Sequence, residues 1–68
     1  MQKEVAQAAI LHNLKRRGFE LKDFGQSIGM SKKSGYTKFN DPKRLTVEDL
    51  CLMKATATEI MEIVGVKE

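Results

Sequence analysis

The sequence has very little of what usually makes a small domain rigid or reactive: one cysteine, one proline, one histidine and no tryptophan among 68 residues. A single cysteine, Cys51, makes no internal disulfide, and the lone His12 leaves no Cys/His set at zinc spacing. Disulfide and zinc scaffolds are therefore excluded. Long hydrophobic runs are missing too. No stretch approaches the roughly 20 apolar residues that span a bilayer, so no membrane partner is expected. The start, "MQKEVAQAAILHNL", interrupts its apolar positions with Glu4, Gln7 and His12, unlike the unbroken core of a secretory signal, and the expected location is cytoplasmic. Aromatic residues are scarce: Phe19, Phe24, Tyr36 and Phe39 are too few to fill a core and also form a stacking platform for RNA. Paired catalytic groups are absent as well. His12 has no partner in sequence, and Glu59 and Glu62, at i, i+3 on one helix face, read as solvated surface. Neither an enzyme nor a cofactor or small-molecule ligand is expected.

What is present is globular: 41% apolar and 31% charged residues, with length for one domain, residues 1–68, around one small core. The net charge of +3 hides an asymmetry. Residues 1–45 hold ten Lys/Arg against four Asp/Glu, whereas residues 46–68 hold two against five. A basic body with an acidic end suits a surface that meets a polyanion.

Helical periodicity dominates, which predicts an all-α fold of five short helices. The first covers 3–16, with Ala6, Ile10, Leu11 and Leu14 in one stripe and Lys15, Arg16, Arg17 and Gly18 at its C-terminus. The second covers 21–28, where Leu21, Phe24, Gly25 and Ile28 fall at i, i+3, i+4 and i+7, and Gly29 stops it. Ser31 caps a third over 31–39, ended by Pro42. Thr46, with Asp49 three residues on, opens a fourth whose apolar surface is Val47, Leu50, Cys51 and Met53; Cys51 is expected to be a small buried hydrophobe. Thr56 and Glu59 form a second capping box opening a fifth, with Ile60, Ile63 and Val64 as its stripe and Gly65 at its end.

The stretch "FGQSIGMSKKSGYTKF", residues 24–39, explains its own glycines. Two helices crossing steeply through a short turn need a small residue where they approach and one tolerant of positive φ in the turn. Gly25 and Gly29 stand at those places, with Phe24, Ile28 and Met30 as the wedge of core between the helices. A helix-turn-helix over about 21–40 follows, and residues 19–55 resemble the lambda-repressor and Cro-like helix-turn-helix family of phage and bacterial regulators. "SIGMSKKSGYTKFNDPKRLTVEDL" is similar to members whose recognition helix ends in an Asn-x-Pro loop before a Leu-Thr-x-x-x-Leu fourth helix. Gly35 departs from the pattern: the family puts a branched or long aliphatic residue there, so Phe39, aided by Tyr36, must seat the third helix, which is expected to sit more loosely.

The resemblance implies a DNA-binding regulator with helix three in the major groove of operator DNA. Ser31, Lys32, Lys33, Tyr36, Thr37 and Asn40 are then the base-reading candidates, and Lys22, Lys38, Lys43 and Arg44 the phosphate contacts. Tyr36 reads equally well as core. One such domain makes few contacts, so a homodimer is expected. Its interface would lie in the C-terminal helices 46–66, through Leu52, Met61, Val64 and Val66; the alternative is that these residues complete a monomer core. No sensing or self-cleaving domain is recognisable after the motif, which suits the Cro-like, DNA-binding-only end of the family. A competing expectation is a protein-interaction module on the same frame, such as an antirepressor or phage inhibitor.

Overall fold

A computed structural model describes residues 2–65, and among these every regular element is helical: α1 (Gln2–Arg16), α2 (Phe24–Ser27), α3 (Lys32–Asn40), α4 (Val47–Leu52) and α5 (Ala57–Val64). Two single 3-10 turns, Leu21–Asp23 and Pro42–Arg44, lead into α2 and out of α3. The helix expected over 21–28 is thus a 3-10 turn running into one α-turn. Its N-terminus is closed by Glu20 and Asp23, and Ile28 already leaves helical geometry at φ −120°. Among the described residues no helix is long and apolar enough to cross a membrane.

Helix ends follow from local chemistry. Ser31, Thr46 and Thr56 each accept a hydrogen bond from the backbone N–H three residues on, and at Thr46 and Thr56 the partner carboxylates Asp49 and Glu59 complete reciprocal capping boxes. Three helices terminate in the same way. Gly18 N–H donates to Lys15 O (3.1 Å) and Phe19 N–H to Leu14 O (2.8 Å) after α1; Gly29 N–H to Gln26 O (3.1 Å) and Met30 N–H to Gly25 O (2.8 Å) after α2; Lys54 N–H to Cys51 O (3.0 Å) and Ala55 N–H to Leu50 O (3.2 Å) after α4. This paired pattern turns the chain through one left-handed residue. Gly18 and Gly29 have φ of +84° and +76°, and Lys54 adopts +53°.

The core is Ala6, Ala9, Ile10 and Leu14 from α1, Phe24 and Ile28 around α2, Leu45, Leu50 and Met53 around α4, and Ile63 from α5, with Leu21, Met30, Phe39 and Ala55 packed against it. On α1 the buried positions recur as Ala6, Ala9, Ile10, Asn13 and Leu14, the i, i+3, i+4, i+7, i+8 stripe of a core-facing helix. Leu11 falls outside it and is 44% exposed, correcting its place in the expected stripe. Two further corrections concern α4. This helix is short and turns Asp49, Leu50 and Met53 inward, so Val47 (75% exposed) and Cys51 one turn later face out. Cys51 is an exposed thiol, not a core residue.

Glu59 is a further correction. Read as solvated, it is buried, because the centre of the α5 face that meets α1 runs through Glu59 and Ile63 rather than through Ile60 and Val64. Its carboxylate accepts from Asn13 Nδ2 (2.9 Å), Arg16 Nη2 (3.1 Å) and Thr56 N–H (2.9 Å). Arg16 therefore does more than complement a helix end: the same guanidinium reaches Lys54 O at 3.0 Å, and Asn13 donates to Met53 O at 3.0 Å. Two side chains of α1 thus hold the α4–α5 turn. Burial raises the Glu59 pKa, but the hydrogen bonds from Arg16, Asn13 and Thr56 outweigh it and hold the group below its ordinary value.

Candidate nucleic-acid interface

The seating of α3 begins with two glycines. A Cβ on Gly25 would fall on the carbonyl oxygen of Ser31 and 3.2 Å from Gly35 N, and one on Gly35 would fall on the backbone nitrogen of Gly25 and 2.5 Å from its Cα. The backbones of α2 and α3 therefore touch directly. Gly35 is the other half of the close approach that Gly25 permits, and α3 is seated by backbone contact at Gly35 together with Phe39 one turn later, which packs against the core.

Two polar contacts hold the C-terminal half of α3. Gln7 of α1 donates to Phe39 O at 3.0 Å. Lys38 turns inward, 18% exposed, and its ammonium is hydrogen-bonded to Asp49 Oδ2, which also accepts Thr46 N–H at 3.0 Å. Burial pushes the Asp49 pKa up, yet the bonds from Lys38 and Thr46 prevail and keep it below the usual value. Lys38 is thus placed apart from the other phosphate candidates, Lys22, Lys43 and Arg44, which are exposed.

Helical register sorts the rest of α3. Gly35, Lys38 and Phe39 recur at i, i+3 and i+4 on the packed side, and Lys33, Tyr36, Thr37 and Asn40 recur at i, i+3, i+4 and i+7 on the opposite side. Lys33, Thr37 and Asn40 are exposed and Tyr36 is half-buried. Ser31 and Lys32, both exposed, stand at the N-terminus, where the Ser31 hydroxyl is taken up by Ser34. The Thr37 hydroxyl donates back to Lys33 O at 3.1 Å. A shallow groove lined by Met30, Ser34, Thr37, Lys38 and Arg44 flanks this face. Arg44 donates to Asp41 at 3.1 Å, an exposed pair that water weakens to roughly 1 kcal/mol or less.

Elsewhere, His12 Nε2 stands 3.9 Å from Glu59, whose carboxylate is already bound by Asn13 and Arg16. Among the described residues no three His, Cys, Asp or Glu side chains gather as a metal site.

Of the residues expected at an interface between copies, Leu52, Met61 and Val64 are 47%, 74% and 39% exposed, and Val66 lies outside the described residues. Met61 and Val64 share one side of α5 with Ile60, and this side runs into a mainly apolar groove lined by Val47, Leu50, Cys51, Ala55, Ile60 and Val64, with Lys54 as its one charged residue among those described. Leu52 lies on a different side of α4 from Val47 and Cys51 and does not line that groove. Gln7, Asn13, Arg16, Lys54 and Asp49 as braces were not foreseen from sequence; only Asn13, in register with the apolar stripe of α1, carried a readable signal. Comparison with protein-family models, curated proteins and solved structures finds no match to this chain.

Proposed function

We propose that the protein is a sequence-specific DNA-binding regulator of the Cro-like kind, in which α2 and α3 act as a helix-turn-helix and α3 enters the major groove of an operator. The observation that carries this reading is the polar side of α3, Lys33, Tyr36, Thr37 and Asn40, presented away from a helix whose other side is held by backbone contact and buried polar bonds. A reading helix needs that division: fixed on one side, rich in donors and small contacts on the other. Lys32 and Lys33 suit the O6 and N7 acceptors of guanine, Thr37 the thymine methyl and Asn40 the edge of adenine. Lys22, Lys43 and Arg44 are exposed on the turns flanking α2 and α3 and serve the phosphates, which position without specifying.

Two copies acting together would supply the contact area one small domain lacks. Met61 and Val64, continuous with Ile60 and Val47, are the apolar surface for this pairing. Bound at a promoter in the cytoplasm, such a dimer represses by occupancy.

Selection from a random duplex pool at two salt concentrations tests the proposal. Enrichment of a palindrome with half-sites about ten base pairs apart is expected, with affinity falling steeply as salt rises. Absence of enrichment, with only weak salt-sensitive binding, would overturn it and direct attention to a protein partner for the same face.

A further inference from the structure

Lys38 is the one basic side chain of α3 that faces the body of the protein. Its ammonium, 18% exposed, is bound to a carboxylate that is 3% exposed, and that carboxylate is also the capping partner of Thr46. The two functions use one oxygen: Asp49 Oδ2 receives both Lys38 Nζ and Thr46 N–H. Asp49 thereby joins the last turn of α3 to the first turn of α4. Because Lys38 sits at i+3 from Gly35, this bond and the glycine contact act on the same side of α3, one turn apart, and together oppose both sliding and rotation of the helix. The Gln7 bond to Phe39 O adds a third restraint.

We infer that Lys38 is a positioning residue for DNA reading and not a phosphate contact: through Asp49 it sets the rotation of α3 and so aims Lys33, Thr37 and Asn40. The inference rests on the proposed DNA-binding function. To reach a phosphate, Lys38 would have to leave a buried carboxylate uncompensated, which is far costlier than the gain from one screened surface contact. Lysine also suits the role sterically, since its flexible stem packs along the apolar surface while the head reaches a single acceptor.

The test uses the site selected from the duplex pool and mixed-sequence DNA of the same length, titrated across salt with three proteins: unsubstituted, Lys33→Ala and Lys38→Met. A fourth protein, Lys38→Met/Asp49→Asn, removes both charges while retaining a side-chain oxygen to cap Thr46, and circular dichroism fixes a temperature at which each protein is fully folded. If Lys38 positions, Lys38→Met and the double variant keep the salt slope of the unsubstituted protein while the ratio of specific to non-specific affinity falls about tenfold per half-site, the size of one lost base contact in each. A slope reduced by about 0.9 per subunit in Lys38→Met, about 1.8 for a bound pair, marks a lost phosphate contact in each half-site and overturns the inference. A folded variant with both slope and ratio unchanged also overturns it, leaving Lys38 a purely structural residue. If the unsubstituted protein shows no site preference, the DNA-binding reading itself fails, an outcome distinct from the other two.

Discussion

At the scale of single residues, the molecule depends on two buried carboxylates that the capping signals of α4 and α5 bring to the surface of the core. Asp49 and Glu59 each begin as the third residue of a helix and end as the acceptor for a cation from another element, Lys38 and Arg16. Both have folded-state pKa values held below the ordinary 3.8 and 4.5. A depressed carboxylate stabilises the fold fully above its unfolded pKa and loses that contribution as pH falls through the folded value. Thermal midpoints should therefore be level between pH 5 and 7 and fall progressively below about pH 4.5. Glu59→Gln should lower the midpoint at neutral pH, since it weakens the charged hydrogen bonds to Asn13 and Arg16 at a cost of about 1.5 kcal/mol, Arg16 remaining partly solvated, and should flatten the acid limb, because one of the two titrating groups is gone. An acid limb unchanged in the variant would show that Glu59 is not a source of the pH dependence.

Among the elements, the contact between α2 and α3 is the one with least tolerance. Replacing glycine by alanine inside a helix normally gains about 0.5–1 kcal/mol. At Gly35 the added Cβ would meet the backbone of Gly25, which has no flexible end to swing away. Overpacking of this kind costs about 3 kcal/mol, so the loss exceeds the propensity gain. Gly35→Ala should accordingly unfold at a clearly lower urea concentration. Gly65→Ala, at a helix end with φ −55° and nothing within 4 Å of the new methyl, should unfold at an equal or slightly higher concentration. Equal midpoints for Gly35→Ala and the parent protein would refute the close approach. The family-like pattern suggested a loose third helix because it places a side chain where this chain has none. The missing side chain instead removes the spacer, and the helices move together until their backbones meet.

Over the whole molecule, charge is divided along the chain. The basic two thirds carry the polar side of α3 and its flanking turns, and the acidic third carries the apolar groove between α4 and α5. Met61, 74% exposed beside that groove, has no part in the core, so at a concentration where the protein is monomeric Met61→Glu should leave the thermal midpoint within about 1 °C, because exposed substitutions are close to neutral. On the proposed pairing it should also raise the dissociation constant of the dimer at least about tenfold in sedimentation equilibrium, by burying a charge in the interface. An unchanged association constant would remove Met61 from the pairing surface.

Most helix boundaries were determined by the sequence alone, because capping and chain reversal are local: Ser31, Thr46 and Thr56 open α3, α4 and α5, and Gly18 and Gly29 supply the left-handed residue that ends α1 and α2. The same reversal after α4 was illegible, since Lys54 takes φ +53° with no glycine to announce it; Arg16, 38 positions away in sequence, holds its carbonyl. The polar side of α3 was readable from spacing, but the inward turn of Lys38 was not. Helical period says which residues share a side and leaves open which acceptor lies opposite. Only the tertiary structure decided the burial of Glu59, the exposure of Cys51 and the apposition of Gly25 with Gly35, because each depends on the side that a neighbouring helix presents, and that is a property of packing across the chain.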